Sequence, residues 1–140
     1  MQLINHILKT KSFDTIKWFC HDVTLNALKK RNLYNKLVNT GVQLLPLIPY
    51  QEFIKEIYNS RSIITDGGSI SEECSILGLK TLIWRDVIEQ KNLIGENLML
   101  SNYNIEESLK FLTKKSTYQA PTQNLSEPSK ELVELLSKII

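Results

Sequence analysis

The 140-residue chain has little of what marks several protein classes. Its formal net charge is only +2, from 17 basic and 15 acidic residues, which argues against nucleic acid or an anionic membrane as a partner. No apolar run approaches the ~20 residues that cross a bilayer, and the first residues lack the basic and apolar segments of a signal peptide. We therefore expect a cytoplasmic protein with no nucleic-acid or membrane partner.

Cysteine and histidine are also scarce, with two residues of each. Cys20 and Cys74 lie far apart in sequence in apolar surroundings, so we predict reduced core residues rather than a disulfide or a metal pair. We expect neither a metal nor a cofactor. The chain length and the 42% hydrophobic content fit a single globular domain.

What the sequence does contain is an alternation of strand-like and helix-like segments. This alternation predicts βαβ units and an α/β fold with a Rossmann-like parallel sheet flanked by helices. A connector is predicted at about 116–125 and a terminal amphipathic helix at about 127–140. The predicted strands are 15–20, 42–48, 62–65 and 81–84, with a further apolar run at 98–100; the predicted helices are 3–8, 25–38 (with a break near Asn32), 51–60, 70–77 and 105–114.

The segment ITDGGSISEE, residues 64–73, follows a buried strand and opens a helix. Gly67 and Gly68 allow positive φ and a close approach to backbone N–H groups. Ser69 and Glu72 have the spacing of a capping box, and the first turn of such a helix attracts anions such as a diphosphate. Glu73, one turn beyond Ser69, could reach a ribose hydroxyl. The alternative is an ordinary strand-to-helix turn.

Arg85 directly follows the next predicted strand, at the edge where parallel sheets bind ligands. Its guanidinium group could neutralise a phosphate, or it could only pair with Asp86 or Glu89 at the surface.

Taken together, ITDGGSISEECSILGLKTLIWRD resembles a segment of the non-hydrolysing UDP-N-acetylglucosamine 2-epimerases, written T-D-S-G-G-x-Q-E-E, then a helix ending in L-G, then a strand closing on R-D-x-T-E-R. The resemblance implies most of the C-terminal half of a glycosyltransferase-B fold, that is, a single partial nucleotide-sugar-binding domain over residues 1–140. It covers most of the chain, begins weakly near IKWFCHDVT, passes through LIPYQEFIKEI and fades after LIGENLMLS.

The resemblance also implies roles for individual residues. Phe53 would face the uracil, although a core position is equally consistent with its apolar helix face. His21 would occupy the position of the family's H-x-N-P histidine, or it would hydrogen-bond a loop. The remaining implied UDP contacts are the diphosphate ligands Gly67, Gly68, Ser69 and Arg85, and the ribose ligand Glu73.

The chain departs from the family pattern at several positions. It has G-G-S where the family has S-G-G, Ser71 where the family has glutamine, Ile88-Glu89-Gln90 where the family has T-E-R, and His21-Asp22-Val23-Thr24 where the family has H-x-N-P. Nothing resembles the family's H-R-R-E-N segment, and the resemblance places the catalytic carboxylates in a domain that is not represented. We therefore assign no catalytic residue.

Three interpretations follow. The chain is the UDP-binding part of an epimerase that converts UDP-N-acetylglucosamine to UDP-N-acetylmannosamine for cell-surface polysaccharide synthesis, and it is inactive alone. Alternatively, it is the nucleotide-sugar-binding subunit of a split glycosyltransferase, or a non-catalytic relic module. The expected partners are a UDP-sugar, an N-terminal-domain partner chain and a second copy of the chain.

Overall fold

The computed structural model describes residues 2–10, 12–89 and 91–115. The predicted connector at 116–125 and the predicted helix at 127–140 lie outside these ranges. The strands are β1 Ile16–Phe19, β2 Val42–Leu45, β3 Ile63–Thr65, β4 Thr81–Ile83 and β5 Leu98–Leu100. The helices are α1 Gln2–Thr10, α2 Asp22–Lys30, α3 Tyr34–Asn39, α4 Tyr50–Tyr58, α5 Ser69–Ile76 and α6 Ile105–Thr113, with a 3-10 turn at Lys91–Leu93.

Local chemistry accounts for several element boundaries. The predicted break near Asn32 separates α2 from α3, and Asn32 itself has φ +53°. Asparagine tolerates this left-handed conformation better than most residues. Strand β2 ends at Leu45 because Pro46 has no N–H group to donate to a neighbouring strand. In α6 the side chain of Asn104 accepts a hydrogen bond from the Glu107 N–H at 3.1 Å and caps the helix.

All strand pairs in the described residues are parallel, as predicted. The strands hydrogen-bond in two groups, β1-β2 and β3-β4-β5. Strand β4 is central in the larger group, pairing Thr81 with both Ile63 and Leu98. Its three residues are buried on both faces, as expected for a central parallel strand.

Packed side chains connect the two strand groups. Ile16 of β1 packs against one cluster that contains Leu82 of β4 and another that contains Val42 of β2. A third cluster joins α4, β3 and α5 through Ile57, Ile63 and Cys74. The fold is therefore one α/β arrangement in which helices cover parallel strands, as the sequence predicted.

The two cysteines are free and buried, which confirms the sequence prediction for both. Burial raises the pKa of the Cys20 thiol and of the Cys74 thiol. Over the described ranges, no helix is both long and apolar enough to span a membrane.

Candidate functional site

The turn after β3 is built around two glycines with positive φ. Gly67 has φ +108° and Gly68 has φ +76° with ψ −161°. Thr65 anchors the turn, since its hydroxyl oxygen accepts a hydrogen bond from the Gly67 N–H at 3.2 Å and lies 3.3 Å from the Gly67 carbonyl oxygen. The conformation of Gly68 is essentially restricted to glycine. The glycine pair is therefore required by this turn.

The start of α5 corrects one prediction. The helix begins at Ser69, and the residue in the N-cap position is Gly68, with no side-chain cap hydrogen bond. The capping box predicted from Ser69 and Glu72 is therefore wrong, because its serine would have to occupy the position that Gly68 takes. Glycine is also accepted at N-caps, and here the turn demands it.

The consequence is a set of unpaired backbone donors. The Ser71 N–H donates to the Gly68 carbonyl at 3.0 Å. Within the described residues, no acceptor pairs with the backbone N–H groups of Gly68, Ser69 and Ile70. Unpaired N–H groups at a helix start, together with the helix dipole, form an environment that attracts anions.

Arg85 lies against this turn. A Cβ atom on Gly67 would be 3.9 Å from Nε, Cζ and Nη1 of Arg85, so the guanidinium group covers the glycine. The Arg85 backbone is held from the β5 side, where its carbonyl accepts from the Asn102 N–H at 2.9 Å and from the Ser101 hydroxyl at 3.1 Å. Arg85 forms no ion pair with any residue that the structure describes. Its charge is available at the rim.

These groups line a cavity of about 390 Å³ at the carboxyl ends of β3 and β4. Its lining combines the glycine turn and the positively charged Arg85 with the carboxyl-bearing residues Glu72 and Glu89. Ser71 also lines the cavity, and its hydroxyl is shielded from solvent without a hydrogen-bond partner in the described part of the chain. Residues lining the cavity are Gly67, Gly68, Ser69, Ser71, Glu72, Arg85, Ile88 and Glu89.

Three other predicted site residues lie outside this lining set. Glu73 lies beside Tyr50 at the start of α4, and slight burial together with the Glu73 carboxylate raises the pKa of the Tyr50 hydroxyl. Oxygen Oε2 of Glu73 is shielded from solvent and has no hydrogen-bond partner in the described residues. Phe53 is half-buried and packs edge-to-face on Phe19, with ring centroids 5.4 Å apart.

His21 is the third. It is exposed and precedes α2 at the carboxyl end of β1, with no side-chain cap hydrogen bond. The cavity lies beyond β3 and β4 instead. The structure therefore brings Gly67, Gly68, Ser69 and Arg85 together at one cavity. The ligand contacts predicted for these four residues and for the other three remain predictions.

The sequence patterns indicate no ligand role for Ser71, Glu72 or Glu89. The sequence predicts a capping role for Glu72 and a surface pairing with Arg85 for Glu89. Ser71 stands out in the sequence only as a departure from the family motif. If the helix is taken to start at Ser69, Ser71 and Glu72 are its third and fourth residues. That placement near the open N-terminus of the helix is the sequence feature that could have indicated a site role for them. No cluster of three or more potential metal ligands occurs in the described ranges.

The fold and this site define a class. The chain is a Rossmann-like α/β protein whose parallel strands present a glycine turn, a helix N-terminus and an arginine at one carboxyl edge. The crystal structure of the UDP-GlcNAc 2-epimerase from Neisseria meningitidis bound to UDP-GlcNAc matches 98% of this chain with a TM-score of 0.68 at 24% identity. The match covers 40% of that enzyme, and it establishes the fold.

Sequence comparison makes the relationship specific. The chain is 31% identical over 111 residues to a UDP-N-acetylglucosamine 2-epimerase of Methanocaldococcus jannaschii. The match covers 74% of this chain and 30% of the relative. No family model matches the chain. The resemblance indicated by the motif is thus confirmed: the chain is a relative of the UDP-N-acetylglucosamine 2-epimerases and spans less than a third of the curated relative's length.

Proposed function

We propose that the chain is the UDP-binding part of a UDP-N-acetylglucosamine 2-epimerase. The observation that carries the proposal is the open start of α5, where the unpaired N–H groups of Gly68 and Ser69 and the Arg85 guanidinium group meet at one cavity. The unpaired N–H group of Ile70 is the next along the helix. The similarity to a curated 2-epimerase supports the choice of ligand.

The cavity has the polarity that a sugar nucleotide requires. The diphosphate would accept hydrogen bonds from the N–H groups of Gly68, Ser69 and Ile70, and its negative charge would be balanced by Arg85. Glu72 and Glu89 line the same cavity, and carboxylates accept hydrogen bonds from hydroxyl groups such as those of a sugar. A volume of about 390 Å³ lies within the usual range for small-molecule sites of roughly 300–1,000 Å³.

The nucleoside would extend along the edge toward α4. Glu73 would accept a hydrogen bond from a ribose hydroxyl, because its Oε2 atom has no partner in the described residues. Phe53 would have to expose one face to the uracil while it keeps its contact with Phe19. His21 would contact the ligand only if the sugar nucleotide also reaches the carboxyl end of β1.

The proposed reaction of the whole enzyme inverts the C2 centre of the N-acetylglucosamine unit. UDP is eliminated to leave a glycal, and the same UDP is added back to give UDP-N-acetylmannosamine, a precursor for cell-surface polysaccharides. A proton must leave and return at C2, which requires positioned acid and base groups. We assign none of these groups to this chain, so we expect the isolated 140-residue chain to be inactive and to act with an N-terminal-domain partner chain or as part of a larger assembly.

Calorimetric titration with UDP tests the proposal. We expect saturable binding, and we expect Arg85→Ala to raise the Kd by about 10-fold or more because hydrogen bonds to charged groups contribute roughly 1.5–3 kcal/mol. Arg31→Ala is the matched control, since Arg31 is an exposed arginine directly after α2, away from the cavity. Glu73→Ala should weaken UDP binding but leave the binding of inorganic pyrophosphate unchanged.

If the folded chain gives no heat of binding when it is titrated with UDP, the proposal is contradicted and a non-catalytic module is favoured. Turnover of UDP-N-acetylglucosamine by the purified chain alone would contradict the expected inactivity while leaving the binding site intact. Sedimentation at high concentration, with and without UDP, tests the predicted self-association.

A further inference from the structure

Ser71 is the third residue of α5, and its buried hydroxyl group makes no hydrogen bond within the described residues. The residue is 1% exposed, and its hydroxyl has no hydrogen-bond partner within the described ranges. Few buried polar groups in native proteins are left without a partner. Such a group is destabilising unless something else pairs with it.

Other serines of the chain show the usual solution. A helical serine commonly donates to the carbonyl four residues earlier. Ser108 is fully buried in α6 and donates to the Asn104 carbonyl at 2.5 Å, and Ser60, just beyond α4, donates to the Glu56 carbonyl at 2.7 Å. The corresponding acceptor for Ser71 would be the Gly67 carbonyl.

Ser71 does not donate to that carbonyl, since its hydroxyl has no hydrogen-bond partner in the described residues. Gly67 has φ +108°, and its carbonyl oxygen lies 3.3 Å from the Thr65 hydroxyl instead. Ser71 therefore has a buried hydroxyl at the wall of the cavity, one residue after the unpaired N–H group of Ile70.

We propose that the Ser71 hydroxyl is a further donor to the diphosphate of the bound ligand. The inference rests on the proposed function, since it concerns the same cavity and the same anion. The hydroxyl reaches the cavity by rotating among the staggered χ1 wells. A phosphate oxygen then accepts from a side-chain O–H as well as from backbone N–H groups, and the charged acceptor makes this hydrogen bond one of the stronger kind. Binding would pair the buried hydroxyl that folding leaves unpaired.

The test compares Ser71→Ala with Ser62→Ala. Ser62 also has a solvent-shielded hydroxyl without a partner in the described residues, but it precedes β3 and does not line the cavity. We expect Ser71→Ala to raise the Kd for UDP and for inorganic pyrophosphate by about tenfold. We expect Ser62→Ala to leave both values unchanged. Neither variant should lower the melting temperature of the ligand-free chain, because each removes an unpaired buried group.

The outcomes separate this inference from the proposed function. If the wild-type chain binds UDP and Ser71→Ala binds it equally well, the inference is overturned and the UDP site stands. A loss of affinity for UDP but not for pyrophosphate also overturns it, because the hydroxyl would then contact another part of the ligand. If the wild-type chain binds neither ligand, the proposed function fails and the inference fails with it.

Discussion

Replacing Gly68 by alanine tests the turn that opens the site. An added Cβ at Gly68 would have no heavy atom within 4 Å, so the substitution creates no collision. Its cost comes from the backbone alone, because φ +76° with ψ −161° lies in a region that only glycine occupies readily. This combination makes Gly68 a clean probe of conformational strain.

The expected cost is about 1–3 kcal/mol in the free energy of unfolding. For a domain of this size the melting temperature should fall by roughly 3–12 °C. If the turn relaxes to relieve the strain, the N–H groups of Ser69 and Ile70 lose their orientation, so UDP affinity should fall together with stability. Denaturant unfolding measures the free energy, and calorimetry measures the affinity.

Two other glycines serve as controls. Gly41 has φ +90° and nothing within 4 Å of an added Cβ, and it does not line the cavity, so Gly41→Ala should lose stability without losing UDP affinity. Gly95 also has open space, and its φ is not positive. Gly95→Ala should be neutral or stabilising by about 0.4–1 kcal/mol, because alanine restricts the unfolded chain.

The result that refutes this reasoning is equally definite. If Gly68→Ala unfolds at the same denaturant concentration as Gly95→Ala, the backbone at Gly68 does not occupy the glycine-only region of φ and ψ. If Gly41→Ala reduces UDP affinity as much as Gly68→Ala does, the effect on binding reflects general destabilisation and not the turn.

Three further predictions concern the rest of the fold. Leu82→Ala, in the fully buried centre of β4, should lower the free energy of unfolding by about 2–5 kcal/mol in denaturant titrations. A loss below about 0.5 kcal/mol would contradict the burial of Leu82. Glu56→Gln breaks a 2.6 Å ion pair with Lys17, and both side chains are about 40% exposed. The free energy of unfolding should therefore change by less than about 1 kcal/mol, and a larger change would be inconsistent with solvent screening of the pair. Both buried cysteines should react with a thiol reagent only as fast as the protein opens, and rapid labelling at pH 8 would refute their burial. Because the folded-state pKa of Cys74 lies above its ordinary value of 9.0, the free energy of unfolding should fall as the pH rises beyond 9.0.

The helices and strands were largely predictable because their signals are local. The break at Asn32, the helices on either side of it and the strand before the glycine turn all depend on neighbours within a few residues. The glycine turn was predictable for the same reason, because the need for glycine at position 68 arises from the backbone conformation of that residue alone. Hydrophobic periodicity also predicted the parallel α/β class, since strands alternate with helices along the chain.

The register of α5 was not predictable in the same way. Successive residues of an α-helix are rotated by about 100°, so an error of one residue in the helix start changes which side chain faces a cavity. Ser69 was expected before the helix and is its first residue, and the capping box is absent as a result. The same sensitivity separates two adjacent acids, of which Glu72 lines the cavity and Glu73 lies beside Tyr50.

The sequence by itself determined which segments become strands and helices, where the chain turns, and which relatives it resembles, because these depend on short-range chemistry and on the order of residues. Only the tertiary structure decided that Arg85 covers Gly67, that Ser71 is buried without a partner in the described residues, and that the strands hydrogen-bond in two groups. Those outcomes depend on how elements distant in sequence pack together, and a contact between β3 and β4 has no signal in either segment alone.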